Sequence, residues 1–190
     1  ATGVLVICLG RATRLSEYAM ASTKSYRAVV HFGIKTATYD AEGEILETHE
    51  AGYITRDMVE QILPRFMGDI EQLPPMYSAI KQDGKKLYEL ARAGQMVERK
   101  PRPVRIESLE IKDWASPQFT LDVTCGSGTY IRSLAHDIGD ALGVGAYLAG
   151  LIRTQSGVFS LDNAVSLSDF LDDPDWQRHL LPPDVTLTHF

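Results

Sequence analysis

The stretch CGSGTYIRSL, Cys125 to Leu134, runs through small residues into a helical pattern and sets a phenol and a guanidinium one residue apart at the junction. From Thr129 onward, Ile131, Leu134, Ala135, Ile138 and Leu142 recur at helical spacing, and Gly143 offers a stop. That stripe faces a core, so Tyr130 and Arg132, which flank it at the first turn, can point away from the core toward whatever lies beyond the strand end. A guanidinium in that place can hold a carboxylate ionised and oriented. A phenol combines a stacking face with a proton-transfer group. Spacing alone, however, favours the plainer reading of Arg132, a surface arginine on a helix.

A second chemical signal is electrostatic. The chain carries a formal charge of -6, yet residues 81 to 105 hold eight cations (Lys81, Lys85, Lys86, Arg92, Arg99, Lys100, Arg102, Arg105) against Asp83, Glu89 and Glu98, a local +5 that leaves -11 on the remainder. Local potential rather than total charge guides encounter, so a basic segment on an acidic body suits phosphate contact. It lies within a proline-bounded excursion, Pro74 to Pro103, where Leu87, Leu90 and Ala91 mark a short amphipathic helix with Lys85, Lys86 and Arg92 on its exposed side. Tyr77 and Tyr88 nearby would add base stacking to phosphate contact, the combination RNA recognition uses. A solvated charged face, with the tyrosines packing the excursion down, is the competing reading.

Other chemistries find little support. There is no phosphate-loop signature, no dinucleotide glycine fingerprint after a strand and no nucleophile elbow. His136 with Asp137, or with Asp140 at i+4, makes a weak metal pair, and a surface histidine is the stronger reading. Cys8 and Cys125 are far apart and read as reduced core thiols. No apolar run approaches the roughly 18 residues of a membrane span, and no secretory signal opens the chain, which makes a cytoplasmic protein the expectation.

The elements that must position these residues read as a mixed α/β chain. Tyr26, Ala28, Val30 and Phe32 alternate with polar neighbours, as do Phe119, Leu121, Val123 and Cys125, so both stretches read as strands with one face in a core. By that pattern Tyr26 is a core tyrosine at a sheet edge. VRIESLEI changes phase between Ile106 and Leu109, which predicts a bulge near Glu107 and Ser108. DAEGE from Asp40 predicts a hairpin turn in which Gly43 takes a positive φ. Thr55 is the expected N-cap of a helix that Pro64 kinks or ends, and Ser166 or Ser168 caps an acidic helix, SLSDFLDD. The opening GVLVICLG reads as an apolar strand with no lead-in, which suggests upstream sequence.

In order along the chain, ATGVLVICLGRAT, KSYRA, YDAEGE, GDIEQLPPMYSAIKQDGKKLYELARAG, RPVRIESLEI, CGSGTYIRSLAHDIGDALGVGAYLAGLIRT and GVFSLDNAVSL resemble the TruB-type tRNA pseudouridine-55 synthases, in their stand-alone bacterial form. The resemblance runs from Ala1 to about Leu171. It implies an α+β fold, a mixed, mostly antiparallel sheet with flanking helices and a central RNA-binding cleft, over which residues 74–103 form a thumb. It further implies a cofactor-free isomerase, monomeric and cytoplasmic. Such an enzyme flips a T-loop uridine out of tRNA, breaks its glycosidic bond, turns the base and rejoins it to the ribose through carbon. Residue by residue, Tyr26 falls where the family packs a tyrosine on the flipped base as a candidate proton acceptor. Arg132 falls where an arginine pairs with the nucleophilic aspartate, and Tyr130 and Leu151 line the pocket. Tyr77, Lys81, Lys85, Lys86, Arg92, Arg102 and Arg153 are the expected RNA contacts.

The departures are equally specific. The family's aspartate lies in a GxLDPxATG-like loop, and by that alignment it belongs three residues before Ala1, so no residue here is assigned as nucleophile and this chain alone is expected to be inactive, an RNA-binding module. Asp40 and Asp137 sit in other motifs and do not replace it. Ala37 stands where the family often has aspartate, and Ile152 where it usually has arginine, which leaves Arg153 for phosphate contact. Residues 172–190 read as a C-terminal extension, with the PUA domain of bacterial members absent or reduced.

Overall fold

The computed structural model describes residues 1–82, 84–95 and 97–187, without the side chains of 81–82 and 186–187. In chain order the elements are β1 (Thr2–Gly3), α1 (Ser16–Ala21), β2 (Lys24–Phe32), β3 (Ile34–Thr36), β4 (Ile45–Thr48), α2 (Arg56–Ile62), β5 (Gly68–Gln72), β6 (Lys81–Gln82), β7 (Lys85–Lys86) and α3 (Leu87–Arg92). Then follow β8 (Arg102–Ala115), β9 (Gln118–Cys125), α4 (Ile131–Ala141), β10 (Ala146–Ser156), β11 (Phe159–Ser160) and α5 (Leu167–Asp172). A seven-stranded sheet runs β1-β10-β2-β9-β8-β5 with β11 on β10, and only the β1–β10 pair is parallel. This is the mixed, mostly antiparallel α+β sheet that the family resemblance implies. The pairs β3–β4 and β6–β7 form separate hairpins.

Alternation decides which face is buried. Ala28, Val30 and Phe32 of β2 and Phe119, Leu121, Val123 and Cys125 of β9 lie on one face and are at most 2% exposed. The other face carries polar partners such as the bidentate pair Arg27–Asp122 and the Ser25–Thr124 hydroxyl contact. Helix α4 covers the buried face with Ile131, Leu134, Ala135 and Ile138, as its apolar stripe requires. The expected bulge is present, as a register shift between Ile106 and Ser108 opposite β9. Thr55 accepts from the Met58 amide to cap α2, which gives way at Pro64 to a 3-10 turn over Leu63–Phe66, and the Ser166 hydroxyl accepts from Asp169 to cap α5.

Three expectations need correction. The hairpin at DAEGE forms between β3 and β4, but the positive φ falls on Tyr39 (64°) rather than on Gly43. Gly43 is required for room instead, since a Cβ there would collide with Thr38 Oγ1. The apolar run after β1 does not continue as a strand: Val4 is buried, whereas Leu5, Ile7 and Leu9 are 72%, 70% and 54% exposed with no strand partner among the described residues. Of the two thiols only Cys125 is a core group, and Cys8 is half-exposed.

Candidate active site

The site is assembled where β9 hands the chain to α4. Cys125 at the end of β9 pairs with Lys24 at the start of β2, so the loop to Tyr130 opens beside the strand that carries Tyr26. On the other flank of β2, Leu151 pairs with Ala28 and Arg153 with Tyr26, which puts Tyr26, Leu151 and Arg153 on the face that α4 packs against. Sequence separations of more than a hundred positions are thereby closed by strand register alone.

The first turn of α4 is stapled from outside. Gln72, at the end of β5 and only 2% exposed, donates through Nε2 to the Tyr130 carbonyl (3.0 Å) and accepts through Oε1 from the Tyr130 amide (2.7 Å). Ser133 Oγ donates to the Leu73 carbonyl at 2.8 Å. Arg132 donates through Nη2 to the Tyr77 carbonyl (2.8 Å) and through Nη1 to the Thr38 carbonyl (3.4 Å). Residues 72 to 77 thus wrap the helix start at the base of the excursion, and the guanidinium fixes that base to the turn after β3.

The same guanidinium forms an ion pair with Asp40, Nη1 to Oδ2, at 2.8 Å. The turn itself holds the carboxylate: Thr38 Oγ1 and the Glu42 amide both donate to Oδ1. Asp40 is an element that sequence reasoning missed as a partner of Arg132. It belongs to a different motif 92 positions away, and only the β3–β4 hairpin folding against β10, with Asp40 bridged to Leu148, reveals the pairing. Gln72 carries no sequence signal either, because a glutamine ending a strand reads as exposed.

Tyr26 is half-buried, and burial pushes its phenol above the ordinary value, reinforced by the neighbouring Cys125 and opposed by its hydrogen-bond partner Arg153. It therefore holds its proton at neutral pH, with a cation beside it to favour release. Arg153 also donates through Nε to the Val4 carbonyl at 2.7 Å, so part of its fork serves the protein. Burial raises the Cys125 thiol as well, which suits an inert core group. Lys24 donates to the Ala19, Met20 and Ser22 carbonyls and ties the end of α1 to β2, and burial lowers its pKa.

The remaining expected RNA contacts divide in two. Lys85, Lys86 and Arg92 gather on the β7–α3 unit, whose Leu87 and Leu90 are buried, so the amphipathic helix forms as expected. Lys86 Nζ and Arg92 Cζ lie 5.4 and 5.5 Å from the centre of the Tyr88 ring. Arg102 is exposed at the start of β8, and the side chain of Lys81 lies outside the described residues. His136 is no surface histidine: its side chain is 17% exposed and its ring stacks on Tyr39 at 3.9 Å. Among the described residues no cluster of three or more metal-ligating side chains occurs, and no helix is long and apolar enough to cross a membrane.

The family profile described as TruB family pseudouridylate synthase (N terminal domain) matches residues 1–131, and that of the tRNA pseudouridylate synthase B C-terminal domain matches residues 132–188. The chain belongs to the TruB family. Among TruB relatives, tRNA pseudouridine synthase B of Synechocystis sp. is 50% identical over 194 residues, covering 100% of this chain and 65% of that protein. The protein of the same name from Pseudomonas aeruginosa is 52% identical over 167 residues, 88% of this chain and 55% of that protein. The chain thus spans between about half and two thirds of the length of the curated relatives it matches. In the crystal structure of a Cbf5-Nop10-Gar1 complex, one chain superposes with a TM-score of 0.74 at 27% identity, over 98% of this chain and 50% of that chain. A chain of an H/ACA RNP bound to a substrate RNA containing 2'-deoxyuridine shares the fold, with a TM-score of 0.67 at 23% identity over 95% of this chain and 46% of that chain.

Proposed function

We propose that the protein carrying this TruB chain isomerises a T-loop uridine of tRNA to pseudouridine, acting as a cytoplasmic monomer. The observation that carries the reading is the identity of 50% across the whole chain with a protein named tRNA pseudouridine synthase B. Support comes from the geometry: Tyr26 and Leu151, at the motif positions for the pocket, occupy the sheet face that α4 covers, with Arg132 on that helix's first turn.

In this reading the target base leaves the T-loop stack, at a cost of a few kcal/mol that pocket contacts offset. Tyr26 presents its ring face to the flipped base, while Tyr130 and Leu151 close the pocket around it. The glycosidic bond from ribose carbon to base nitrogen breaks, the base turns, and its carbon bonds to the same ribose carbon. The proton on that base carbon is lost, and the freed nitrogen gains one, so the reaction balances as an isomerisation. Tyr26 accepts that proton once its own hydroxyl proton has passed to the freed base nitrogen, a release that burial opposes and the neighbouring Arg153 favours. Arg132 orients the attacking carboxylate, which the family places in a motif upstream of Ala1 and which no residue of this chain supplies. The β7–α3 unit binds the T-arm backbone with Lys85, Lys86 and Arg92.

The test is formation of pseudouridine within T-arm RNA by the full natural protein, read by nucleoside analysis after digestion of the RNA, beside the chain Ala1–Phe190 alone. Conversion by the full protein and binding without conversion by the chain alone are expected. A full protein that binds T-arm RNA but leaves every uridine intact would instead establish an RNA-binding module.

A further inference from the structure

We infer that Tyr39 and His136 form a positioning device that holds Asp40 against Arg132. The placement is what carries it. Tyr39 immediately precedes Asp40 in the chain, and His136 lies one helical turn beyond Arg132 on α4, so the two elements joined by the ion pair are joined a second time by a pair of rings. The rings are 3.9 Å apart and within 10° of parallel. Among the described residues Tyr39 is the one non-glycine with a positive φ, 64°, a left-handed conformation a tyrosine keeps only where its surroundings impose it.

Those surroundings are visible. The Leu148 amide donates to the Tyr39 carbonyl at 3.0 Å, and the Arg99 guanidinium, which also donates to the Pro74 carbonyl, reaches the Tyr39 hydroxyl at 3.5 Å. The His136 ring is anchored weakly by its nitrogens: Nδ1 is buried with no hydrogen-bond partner among the described residues, and Nε2 lies 3.3 Å from Asp140. Ring stacking is therefore its principal tie to the turn. Burial lowers the imidazole pKa, opposed by Asp140 and Glu47 and aided by Lys35 and Arg99, which disfavours a second cation beside Arg132 and Asp40. Since Asp40 must sit in one place to meet Nη1, a turn fixed on both sides of the carboxylate presents it without the entropy of a free loop.

The effect on turnover rests on the proposed function; the positioning of Asp40 does not. The test therefore combines two readouts on the full natural protein: exchange of the Arg132 guanidinium protons with water, by nitrogen-15 NMR, and kcat and KM on T-arm RNA. Tyr39→Gly accepts the left-handed φ and removes only the ring, and His136→Ala removes the partner. Both are expected to speed guanidinium exchange and to lower kcat about tenfold with KM little changed, and the double variant to do no worse than either single one. Tyr39→Phe and His136→Phe keep the stack and should retain both properties. If Tyr39→Gly fails to fold, Tyr39→Asn, which also tolerates this φ, takes its place. Guanidinium exchange unchanged in Tyr39→Gly and His136→Ala overturns the inference, as does an equal loss in Tyr39→Phe. Faster exchange in those variants, with no pseudouridine formed even by the unsubstituted protein, upholds the device and overturns the proposed function.

Discussion

Asp40 and Arg132 share a 2.8 Å ion pair in which each side chain is less than a quarter exposed, and each oxygen of the carboxylate has its own duty. Oδ1 belongs to the turn, through Thr38 and Glu42, and Oδ2 to the guanidinium. A charge held in this way is oriented before substrate arrives, and in a partly dry site that orientation is worth more than in water.

Asp40→Asn keeps the shape and the turn contacts but removes the charge. Leaving a half-buried guanidinium without its anion costs about 1–3 kcal/mol, so kcat on T-arm RNA is expected to fall by about 10- to 100-fold while KM moves little. Arg132→Lys keeps a cation but cannot reach Asp40, Thr38 and Tyr77 together, and should fall at least as far. A fall in tRNA affinity as large as the fall in kcat would show that the pair serves binding instead.

Gln72 predicts a stability effect of a different kind. Its amide satisfies both backbone groups of Tyr130 from a fully buried position. Gln72→Leu strips the Tyr130 amide of its partner, while the carbonyl keeps the Leu134 amide at 3.1 Å, so urea unfolding should report a loss of about 1–3 kcal/mol. Gln72→Ala, with space for a bridging water, should lose less. Equal stability of Gln72→Leu and the unsubstituted chain would mean that the helix start finds other partners.

The parts of this fold that are legible in the sequence are those with a period. Alternation gives β2 and β9 their buried faces, the phase change in VRIESLEI marks the bulge after Ile106, and the stripe from Ile131 lays α4 on the sheet. The pocket roles proposed for Tyr26, Leu151, Tyr130 and Arg132 come only from the family motifs, because a half-buried tyrosine and a helix-start arginine have ordinary packing roles. What stays hidden is what two distant motifs make together. Asp40 with Arg132, Tyr39 with His136, and Gln72 with Tyr130 each join residues at least 58 positions apart, and no local pattern encodes such pairs. GVLVICLG misleads for the complementary reason: apolar periodicity predicts burial, but the strand pairs that realise it come from elsewhere in the chain.

Asp137 gives the pH prediction. Burial, reinforced by Asp140, pushes its carboxyl up from 3.8 to about 6. The folded state therefore holds a proton that the unfolded chain gives up between those values. The resulting stability is present below about pH 4 and is lost as the pH rises through about 6. Asp137→Asn should flatten this slope and leave the protein more stable at pH 7, on the order of 1 kcal/mol once solvent screening is allowed for. Urea unfolding of both proteins at pH 4 and 7 decides the point: parallel pH profiles would mean that Asp137 is better solvated than its burial indicates.

The β7–α3 unit separates electrostatic from stacking contributions to RNA binding. Neutralising Lys85, Lys86 and Arg92 together frees up to three phosphates, and each phosphate no longer neutralised reduces the slope of log affinity against log salt by about 0.7–0.9. Affinity for T-arm RNA should therefore fall at low salt, with a slope flatter by about 2. Lys86 and Arg92 both approach the Tyr88 ring, 5.4 and 5.5 Å from its centre. If a base stacks on it, Tyr88→Ala should weaken binding about tenfold at every salt concentration and leave the slope unchanged. An unaltered slope in the triple variant would assign its cations to a solvated face, and a flattened slope in Tyr88→Ala would show that the ring serves to hold Lys86 and Arg92 in place.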